Sequence, residues 1–314
     1  MNTTDRVAVC SRSFSQNDIL RRELLARYQN VTFNDLGAKL TGDSLVAFLR
    51  GHTKAITALE VIDESILARL PELKVISKYG VGLDTIDVEA MHAYGKRLGW
   101  TGGVNRRSVA ELVICFAIAL LRGIPAAQRE VLGGTWRQRI GAQLTGRTVG
   151  VIGCGHIGKE VIRLLIPFDC SILVNDIQQY PDFYERHRVT DTDIETLLSS
   201  ADIVTLHIPL NESTRGILDE RRLALMKSSA VLINTARGGL IDEKALKHLL
   251  KERRIAAAAF DVFETEPPTD IELLSLPNFL ATPHIGGSAE EAVLAMGRAA
   301  IDQLDERGSI ERPH

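Results

Sequence analysis

The sequence predicts an α/β fold built on parallel sheets and divided between two domains. Strand-like and helix-like segments alternate through the first hundred residues, and the alternation resumes at Thr148. Such alternation is typical of βαβ units, whose strands run parallel. A glycine-rich turn, Gly153-Cys-Gly-His-Ile-Gly158, lies between an apolar strand and an apolar helix. At 314 residues the chain is long for one hydrophobic core, so two domains are expected.

The glycine-rich turn has the spacing of a dinucleotide-binding fingerprint. Val149–Ile152 predict the buried strand before it, and Val161–Ile166 predict the helix after it. Gly153 permits a tight turn, Gly155 lets the backbone approach a pyrophosphate, and Gly158 allows the helix to pack closely on the strand. A structural turn without a phosphate is the alternative. The strand and helix on either side favour the nucleotide site.

An acidic residue follows the next predicted strand, Ser171–Asn175. This residue, Asp176, comes 18 residues after Gly158, close to the roughly 20 expected for a carboxylate that binds the adenosine ribose. Its charge would repel a 2′-phosphate, and the next residues, 177–179, provide no cation. The sequence therefore predicts NAD rather than NADP.

The first hundred residues contain four predicted strands and three predicted helices. The strands are Arg6–Cys10, Val31–Asn34, Ala55–Val61 and Lys74–Ser77. The helices are Asn17–Tyr28, Asp43–Arg50 and Ser65–Leu70. The last strand leads into a second glycine-rich turn, Lys78-Tyr-Gly-Val-Gly82-Leu-Asp84, at the edge where ligands bind in open α/β sheets. A plain strand-to-helix turn would explain these glycines equally well.

The rest of the chain predicts an inserted second domain. Gly102 and Gly103 form a candidate hinge, and Ser108–Leu121 predicts a buried helix with Ser108 and Glu111 at capping-box spacing. Further strands are expected at Ile203–His207, Ala230–Asn234, Ala256–Phe260 and Phe279–Ala281, and helices at Glu220–Met226 and Glu243–Arg253. A last helix, Ala289–Leu304, is expected to return to the first domain. We therefore predict one domain from residues 1–102 and 286–314, a second from 103–285, and a cleft between them.

Composition and charge exclude several function classes. The formal net charge is −3, which gives no reason to expect a nucleic acid or an anionic membrane as partner. The longest strongly apolar run, Leu112–Leu121, is too short to span a bilayer, and the amino terminus does not resemble a signal peptide. The four cysteines are widely spaced, which favours reduced thiols in the cytoplasm over disulfides or a metal site.

Three residues at predicted strand ends are candidates for chemistry. Arg237 could clamp a carboxylate with its guanidinium, and Glu266 and His284 follow the next two strands. Each alone is better explained as part of a structural ion pair or as a capping group. Their common position at carboxyl ends of strands favours a functional site. His207, by contrast, lies within a predicted strand and is interpreted as a core histidine.

These residues carry a resemblance to the D-isomer-specific 2-hydroxyacid dehydrogenases. The similarity extends from about residue 50 to 304 in seven ordered segments: KYGVGLDTID, NRRSVAELV, GCGHIGKEV, HIPLNESTRGIL, INTARGGLIDEKAL, FDVFETEPP and TPHIGG. The resemblance implies two Rossmann-like domains, a flavodoxin-like substrate domain with an inserted dinucleotide-binding domain. It also implies a homodimer, formed largely through the cofactor domain with helix 108–121 at the interface.

The resemblance also implies a role for each candidate residue. His284 would exchange a proton with the substrate hydroxyl, Glu266 would pair with His284, and Arg237 would hold the substrate carboxylate. Further substrate contacts would come from Lys78, Val81, Gly82 and Asn105. The residues expected to contact NAD are Gly153, Gly155, His156, Ile157, Gly158, Asp176, Ile208, Thr235, Ala236, Asp261 and Gly287. No metal is expected.

Among the branches of this family, the sequence most resembles the phosphoglycerate dehydrogenases. Lys78 occupies a place where that branch carries a cation near the substrate, so D-3-phosphoglycerate is the expected substrate. Hydroxypyruvate or glyoxylate reduction is the alternative. A third hypothesis, from a different class, is an NAD(H)-sensing scaffold that resembles the corepressor relatives of this fold. Because the sequence ends at His314, we expect no carboxy-terminal regulatory domain and no feedback through one.

Overall fold

The computed structural model of the chain describes residues 2–305, which form two compact units. The first unit contains the described residues up to Asn105 and those from Ala289 onward. The second unit is the continuous segment from Arg106 to Ser288. The predicted boundaries, 102 and 286, each precede these divisions by three residues. The assignment of substrate and cofactor binding to the two units stays a prediction.

Five parallel strands form the sheet of the first unit, in the order β2-β1-β3-β4-β5. They are β1 (Asn2–Val9), β2 (Tyr28–Phe33), β3 (Lys54–Thr57), β4 (Val75–Lys78) and β5 (Arg97–Gly99). This is the strand order of flavodoxin-like doubly wound sheets. The predicted fold class is confirmed for this unit.

Helices connect these strands and begin at polar side chains that cap them. They are α1 (Arg12–Ser15), α2 (Asp18–Arg27), α3 (Gly42–Leu49), α4 (Glu64–Leu67) and α5 (Val88–Ala93). The Asn17 side chain accepts the N–H groups of Ile19 and Leu20 at the start of α2. Asp63 and Asp87 cap α4 and α5 in the same way. Two separate apolar clusters are buried in this unit.

Seven parallel strands form the sheet of the second unit, in the order β12-β11-β10-β9-β6-β7-β8. They are β6 (Thr148–Ile152), β7 (Ser171–Asn175), β8 (Val189–Asp191), β9 (Ile203–Leu206), β10 (Val231–Asn234), β11 (Ala257–Phe260) and β12 (Phe279–Ala281). From β6, the chain adds β7 and β8 toward one edge of the sheet and then β9 to β12 toward the other edge. Doubly wound sheets bind ligands at the position where the strand order switches in this way.

Eight helices accompany this sheet. They are α6 (Arg106–Leu121), α7 (Ile124–Leu132), α8 (His156–Leu165), α9 (Pro181–His187), α10 (Ile194–Ser200), α11 (Glu220–Leu223), α12 (Glu243–Lys251) and α13 (Ile271–Ser275). Central strands such as β9 and β10 are buried at every residue, as expected for a sheet covered on both faces. Two large apolar clusters form the core.

The final helix, α14 (Glu290–Asp302), belongs to the first unit. The Ser77 hydroxyl donates to the Ala300 carbonyl over 2.7 Å. A side-chain carbon at Gly297 would overlap Leu20 of α2, so glycine allows these two helices to pack closely. Ala300, Ile301 and Leu304 complete one of the two apolar clusters of this unit.

Several predicted elements differ in their bounds. Helix α8 begins at His156, five residues before the predicted start, so His156 is helical and not part of the loop. The predicted strand Ala55–Val61 ends at Thr57. The proposed capping box at Ser108 is wrong because α6 already begins at Arg106, and the Ser108 hydroxyl donates to the Gly286 carbonyl.

Among residues 2–305, no single helix is long and apolar enough to cross a membrane, although α6 and α7 together pass that test with a 63° bend between them. Seven residues of α6 are buried in the protein. Within the same described part of the chain, no group of three or more His, Cys, Asp or Glu side chains is placed to hold a metal ion.

Candidate active site

Three glycines shape the turn between β6 and α8, each for a different steric reason. Gly153 has φ +98°, and a side-chain carbon there would lie 2.7 Å from the His207 carbonyl oxygen. A side-chain carbon at Gly158 would lie 2.0 Å from the Gly153 carbonyl oxygen. At Gly155, in contrast, it would meet no described atom within 4 Å. Gly153 and Gly158 are therefore required by packing, whereas Gly155 keeps the helix end open.

The amino terminus of α8 is suited to an anion. Gly155 is its N-cap and supplies no side chain to accept the N–H groups of the first turn. These groups, together with the helix dipole, favour a phosphate at this end. His156 is exposed and Ile157 is half-buried in the first turn, so these two predicted NAD contacts lie at the open helix end.

The Asp176 carboxylate lies next to the glycine turn. One of its oxygens accepts the Cys154 N–H, and the other accepts the Gln178 N–H over 2.8 Å. These bonds tie the loop after β7 to the turn after β6. Each carboxylate oxygen has a second lone pair, so the group can still accept a ribose hydroxyl.

Asn234 organises the turn after β10 that carries Arg237. Its side-chain oxygen accepts the Ala236 N–H over 3.0 Å, and its amide group donates to the Arg237 carbonyl over 2.8 Å. A side-chain carbon at Gly238 would lie within 2.0 Å of the Phe263 backbone, so the turn is packed directly against the loop after β11. Sequence reasoning missed Asn234, although a polar residue ending an apolar strand was a usable signal.

Asp261 fixes the loop that follows β12. It is almost fully buried, at 1% exposure, and its carboxylate accepts the N–H groups of Ile285 over 2.8 Å and Gly286 over 2.7 Å. The Thr282 hydroxyl donates to the same carboxylate. The His284 N–H donates to the Asp261 carbonyl over 2.9 Å. Asp261, one of the residues predicted to contact NAD, therefore also positions the loop that presents His284.

His284 and Glu266 form the direct contact that was expected. The His284 Nδ1 atom lies 2.9 Å from Glu266 Oε2. The other oxygen of Glu266 accepts the Phe263 N–H over 3.1 Å, which orients the carboxylate. Both side chains are about half exposed, at 51% and 40%. An imidazole accessible to solvent and held by a carboxylate can exchange a proton with a ligand.

The remaining predicted contacts to NAD lie at carboxyl ends of the same sheet. Ile208 follows β9 and is half-buried. Its Cγ2 methyl group lies close to the place that a side-chain carbon at Gly153 would occupy. Thr235 and Ala236 are buried in the turn after β10. Gly287 is half-buried in the loop that Asp261 fixes.

The predicted substrate contacts other than Arg237 belong to the first unit, whereas Arg237 lies in the second unit and its guanidinium donates to the Ala236 carbonyl over 2.6 Å. The Lys78 ammonium is nearly buried and donates to the Ala58 carbonyl and, over 3.0 Å, to the Thr85 hydroxyl. The Val81 carbonyl accepts the Trp100 indole N–H over 3.0 Å, and Gly82 is half-buried in the same turn. Asn105 is buried at 8% exposure, and its side-chain oxygen has no hydrogen-bond partner among residues 2–305.

Comparison with known proteins identifies the family. Residues 114–286 match the NAD binding domain of the D-isomer specific 2-hydroxyacid dehydrogenases, which is more than half of the chain. The chain belongs to this family. Among solved structures of similar fold is a glyoxylate reductase from Paecilomyes thermophila, with a TM-score of 0.84, 26% identity, and coverage of 95% of this chain and 94% of that one.

Among the curated relatives of this D-2-hydroxyacid dehydrogenase family member, two kinds of name recur. D-3-phosphoglycerate dehydrogenase from Methanocaldococcus jannaschii is 42% identical over 265 residues, which are 83% of this chain but only 49% of that protein. Hydroxypyruvate reductase from Thermotoga maritima is 40% identical over 238 residues, 74% of this chain and 76% of that protein. The chain thus spans about half the length of the phosphoglycerate dehydrogenase relative.

The second unit of this family member fits NAD. The glycine turn leaves the amino terminus of α8 open, and the Asp176 carboxylate lies beside it. The Thr235 hydroxyl is buried without a partner among the described residues, so it is available to a ligand. These features would hold the pyrophosphate, the adenosine ribose and the nicotinamide half respectively.

Proposed function

We propose that the protein is an NAD-dependent dehydrogenase that interconverts D-2-hydroxy acids and 2-oxo acids. The observation that carries this proposal is the 2.9 Å contact between His284 and Glu266 in a unit built to bind NAD. When bound, NAD supplies or accepts the hydride at carbon 2 of the substrate. The side chains of this chain perform the proton exchange and the orientation of the substrate.

His284 acts as the acid and base of the reaction. Because Nδ1 is bonded to Glu266, Nε2 is the ring nitrogen left for the substrate. In the reductive direction His284 gives a proton to the 2-oxygen as carbon 2 gains the hydride, and in the oxidative direction it takes that proton back. Glu266 holds the ring in one orientation through its bond to Nδ1.

Arg237 binds the substrate carboxylate. A planar guanidinium can donate two parallel hydrogen bonds to a carboxylate, which fixes both the position and the orientation of the acid. The turn organised by Asn234 and packed at Gly238 holds the Arg237 backbone in place for this task.

The position of Lys78 favours an unphosphorylated substrate. D-3-phosphoglycerate remains one candidate, supported by the relatives of that name. An ammonium group has three donors, however, and that of Lys78 directs two of them to Ala58 and Thr85 within its own unit. A phosphate would have to compete with these internal bonds. The internal bonds of Lys78 therefore favour the other candidate, hydroxypyruvate or glyoxylate, which does not require the Lys78 charge.

A substrate panel followed by NADH absorbance tests both levels of the proposal. We expect turnover of 2-oxo acids with NADH, and compare 3-phosphohydroxypyruvate with hydroxypyruvate, glyoxylate and pyruvate. A preference for the phosphorylated acid that is lost in Lys78→Met would assign Lys78 to the substrate. Binding of NADH without turnover of any 2-oxo or 2-hydroxy acid would contradict the enzymatic proposal and favour the scaffold hypothesis.

We further propose a homodimer in the cytoplasm. Helix α7 buries none of its residues, and exposed apolar side chains continue beyond it at Trp136 and Ile140. Arg139 is bonded to Glu130, which ties this segment to α7. A second copy of the chain is the occupant implied by the family. Helix α6, the interface predicted from sequence, uses seven of its side chains inside its own unit.

The four cysteines are free, which suits a reducing compartment.

A further inference from the structure

A cavity of about 450 Å³ lies at the amino edge of the first-unit sheet. It is lined by Arg6 of β1, by residues 49–52 before β3 and by residues 69–73 before β4. We refer to it as the amino-edge cavity. Lys78 ends β4 at the opposite edge, where sheets of this kind bind their ligands. A ligand in the amino-edge cavity would therefore occupy a site separate from the predicted substrate contacts of this unit.

The walls of the amino-edge cavity are fixed by backbone hydrogen bonds. The Arg6 carbonyl accepts the Thr53 N–H over 2.9 Å, and the Thr53 carbonyl accepts the Lys74 N–H over 2.8 Å. These bonds join β1 to both of the other lining segments. Three leucines that line the cavity are buried in one apolar cluster of the unit: Leu49, Leu70 and Leu73. The cavity is thus part of the folded structure, with its backbone already in place.

Three guanidinium groups line the cavity, and their acidic partners are few. Within residues 2–305, the Arg50 guanidinium has no ion pair or hydrogen bond. An Nη atom of Arg6 lies 3.6 Å from the Glu72 carboxylate, and one of Arg69 lies 2.7 Å from that of Asp43. The Glu72 and Asp43 side chains are 62% and 92% exposed, so these pairs are weak. The three arginines can therefore bind an additional anion.

A nearly buried ammonium group contributes further positive charge to the wall of the cavity. Lys96 is 9% exposed and donates to the carbonyls of Leu70, over 3.0 Å, and Pro71, over 3.2 Å, which both belong to lining residues. Burial lowers the pKa of Lys96, and no carboxylate in the described part of the chain is paired with it. Lysine is rarely buried without an anionic partner. Lys96 thus independently indicates a missing negative charge at this place.

The charge of Arg6 acts on the inside of the cavity. Its guanidinium lies against the backbone of Gly51, where a side-chain carbon would be 3.9 Å from it. The neighbouring His52 ring is held 2.9 Å from the Thr32 hydroxyl. Burial and, to a smaller extent, the Arg6 charge lower the pKa of His52, which keeps the ring neutral at pH 7. The same positive potential that disfavours a further cation attracts an anion.

We propose that the amino-edge cavity binds a small phosphate monoester. Four cations, Arg6, Arg50, Arg69 and Lys96, face the two exposed carboxylates named above, which leaves an excess of two positive charges. A phosphate monoester carries about −1.5 to −2 at pH 7, and its oxygens match the planar donors of arginine. A cavity of this size lies within the range of small-molecule sites, about 300–1,000 Å³. It therefore suits a phosphate carried by an organic molecule better than the bare ion. This inference does not depend on the proposed function.

Calorimetric titration with glycerol 3-phosphate tests the inference. This probe is a phosphate monoester without a carboxylate, so it lacks the group that Arg237 is proposed to bind. Saturation of the protein with NADH fills the anion site at α8 beforehand. Arg50→Gln and Arg69→Gln each remove one charge from the cavity and keep a polar side chain. Arg22→Gln is the matched control, because Arg22 is exposed on α2 of the same unit and does not line the cavity.

We expect the wild type to bind one glycerol 3-phosphate per chain, and Arg50→Gln and Arg69→Gln each to raise the Kd by about 10-fold. Arg22→Gln should match the wild type, inorganic phosphate should bind more weakly, and glycerol should not bind. All three variants should keep the wild-type midpoint of thermal unfolding, since each of these arginines reaches solvent.

A wild type that does not bind glycerol 3-phosphate would overturn the inference. The same conclusion would follow if both cavity variants bound it as tightly as the wild type, or if Arg22→Gln weakened binding as much as they do, since general attraction by surface charge would then explain the result. Tighter binding of inorganic phosphate than of glycerol 3-phosphate would overturn the assignment to a monoester.

Discussion

At the scale of single residues, the backbone at His284 depends on Asp261. His284 has φ +57°, in the left-handed region that costs a non-glycine residue about 1–2 kcal/mol. The bonds from Ile285, Gly286 and Thr282 to the Asp261 carboxylate hold the loop in this conformation. Asp261 therefore has a structural task that exists before any cofactor binds, in addition to its predicted contact to NAD.

Substitutions at His284 and Glu266 should separate proton exchange from ring orientation. His284→Asn removes the exchangeable ring proton, so we expect turnover to fall by about 10²- to 10⁴-fold. Glu266→Gln keeps an oxygen that can accept from Nδ1 but removes the charge, so its loss should be smaller. Steady-state turnover gives both values, and NADH titration should give a near-wild-type Kd. Full turnover in His284→Asn would remove that residue from the mechanism.

Residue identities at the candidate site were readable from the sequence because each follows an apolar strand in a recognisable segment. His284, Glu266 and Arg237 follow β12, β11 and β10 in this way. The internal bonds of Lys78 could not be predicted, because they depend on Ala58, which lies 20 residues earlier, and on the path of the turn that brings Thr85 to the Lys78 ammonium. The lack of a partner for His207 Nδ1 among residues 2–305 was equally hidden, because hydrogen bonding in a core depends on the packing of several strands.

At the scale of elements, the glycines of the turn between β6 and α8 have two different tasks. One kind allows close packing, and the other leaves space for a ligand. A methyl group at Gly158 would overlap the Gly153 carbonyl, whereas at Gly155 it would meet no described atom within 4 Å. Gly155 also has φ −74°, which alanine adopts easily. The two glycines of one motif should therefore respond differently to the same substitution.

We expect Gly158→Ala to destabilise the protein by about 1–3 kcal/mol through overpacking and to abolish NADH binding. Gly155→Ala should fold with an unchanged midpoint of thermal unfolding and should still weaken NADH binding, since its methyl group would occupy the space next to the pyrophosphate. Thermal unfolding and NADH titration of both variants provide the test. Equal NADH affinity in Gly155→Ala and the wild type would place the pyrophosphate elsewhere.

Asp202 connects the amino ends of β6 and β9. Its carboxyl group predicts how the stability of the protein depends on pH. Its carboxylate accepts the Thr148 N–H over 3.0 Å and lies 2.9 Å from the Lys227 ammonium. Partial burial raises the pKa of Asp202, but these two partners outweigh burial and hold it below the usual 3.8. A carboxyl group with a depressed folded pKa stabilises the protein above its unfolded pKa and loses this contribution as the pH falls through the folded value.

Asp202→Asn should therefore lower the free energy of unfolding at pH 7 by about 1 kcal/mol. The difference from the wild type should narrow as the pH falls from about 5 toward 3. Urea unfolding across this range measures both quantities, with Lys227→Met as the variant that removes the same ion pair from the other side. A difference that is constant with pH would assign the effect to packing.

Elements with an apolar run were predictable, and elements without an apolar run or face toward a core were not. Strands β6, β7 and β12 were identified nearly residue for residue, because apolar runs in buried parallel strands leave a strong pattern. Strand β8 has three residues, none of them fully buried, and helix α7 has no buried residue, so neither has an apolar run or face toward a core. The start of α8 was missed because its first turn is the glycine motif itself.

At the scale of the whole molecule, the doubly wound architecture followed from the alternation of segments, but the assembly did not. The apolar residues of α7 and the segment after it were not recognised as a surface, since exposure cannot be read from composition alone. Their exposed fractions are large: 79% for Leu132 and 87% for Trp136. Such apolar exposure is typical of a contact surface.

Charge placed on this surface should dissociate the proposed dimer. We expect the double variant Trp136→Glu/Ile140→Glu to sediment as a monomer under conditions where the wild type is a dimer, because a carboxylate is not tolerated in an apolar interface without a partner. Leu36→Glu is the matched control, since Leu36 is 96% exposed in the first unit. Analytical ultracentrifugation provides the measurement. A wild-type monomer, or a double variant that stays dimeric, would contradict the proposed interface.

The position of α14 in the chain determines the order in which the two units can be completed during translation. The second unit is one continuous segment and is fully synthesised once Ser288 has left the ribosome. The first unit still lacks Ala300, Ile301 and Leu304 at that moment, and these residues complete one of its apolar clusters. The amino-terminal sheet is thus the first to be synthesised and the last to be finished, and one of its apolar faces stays uncovered until the last helix emerges.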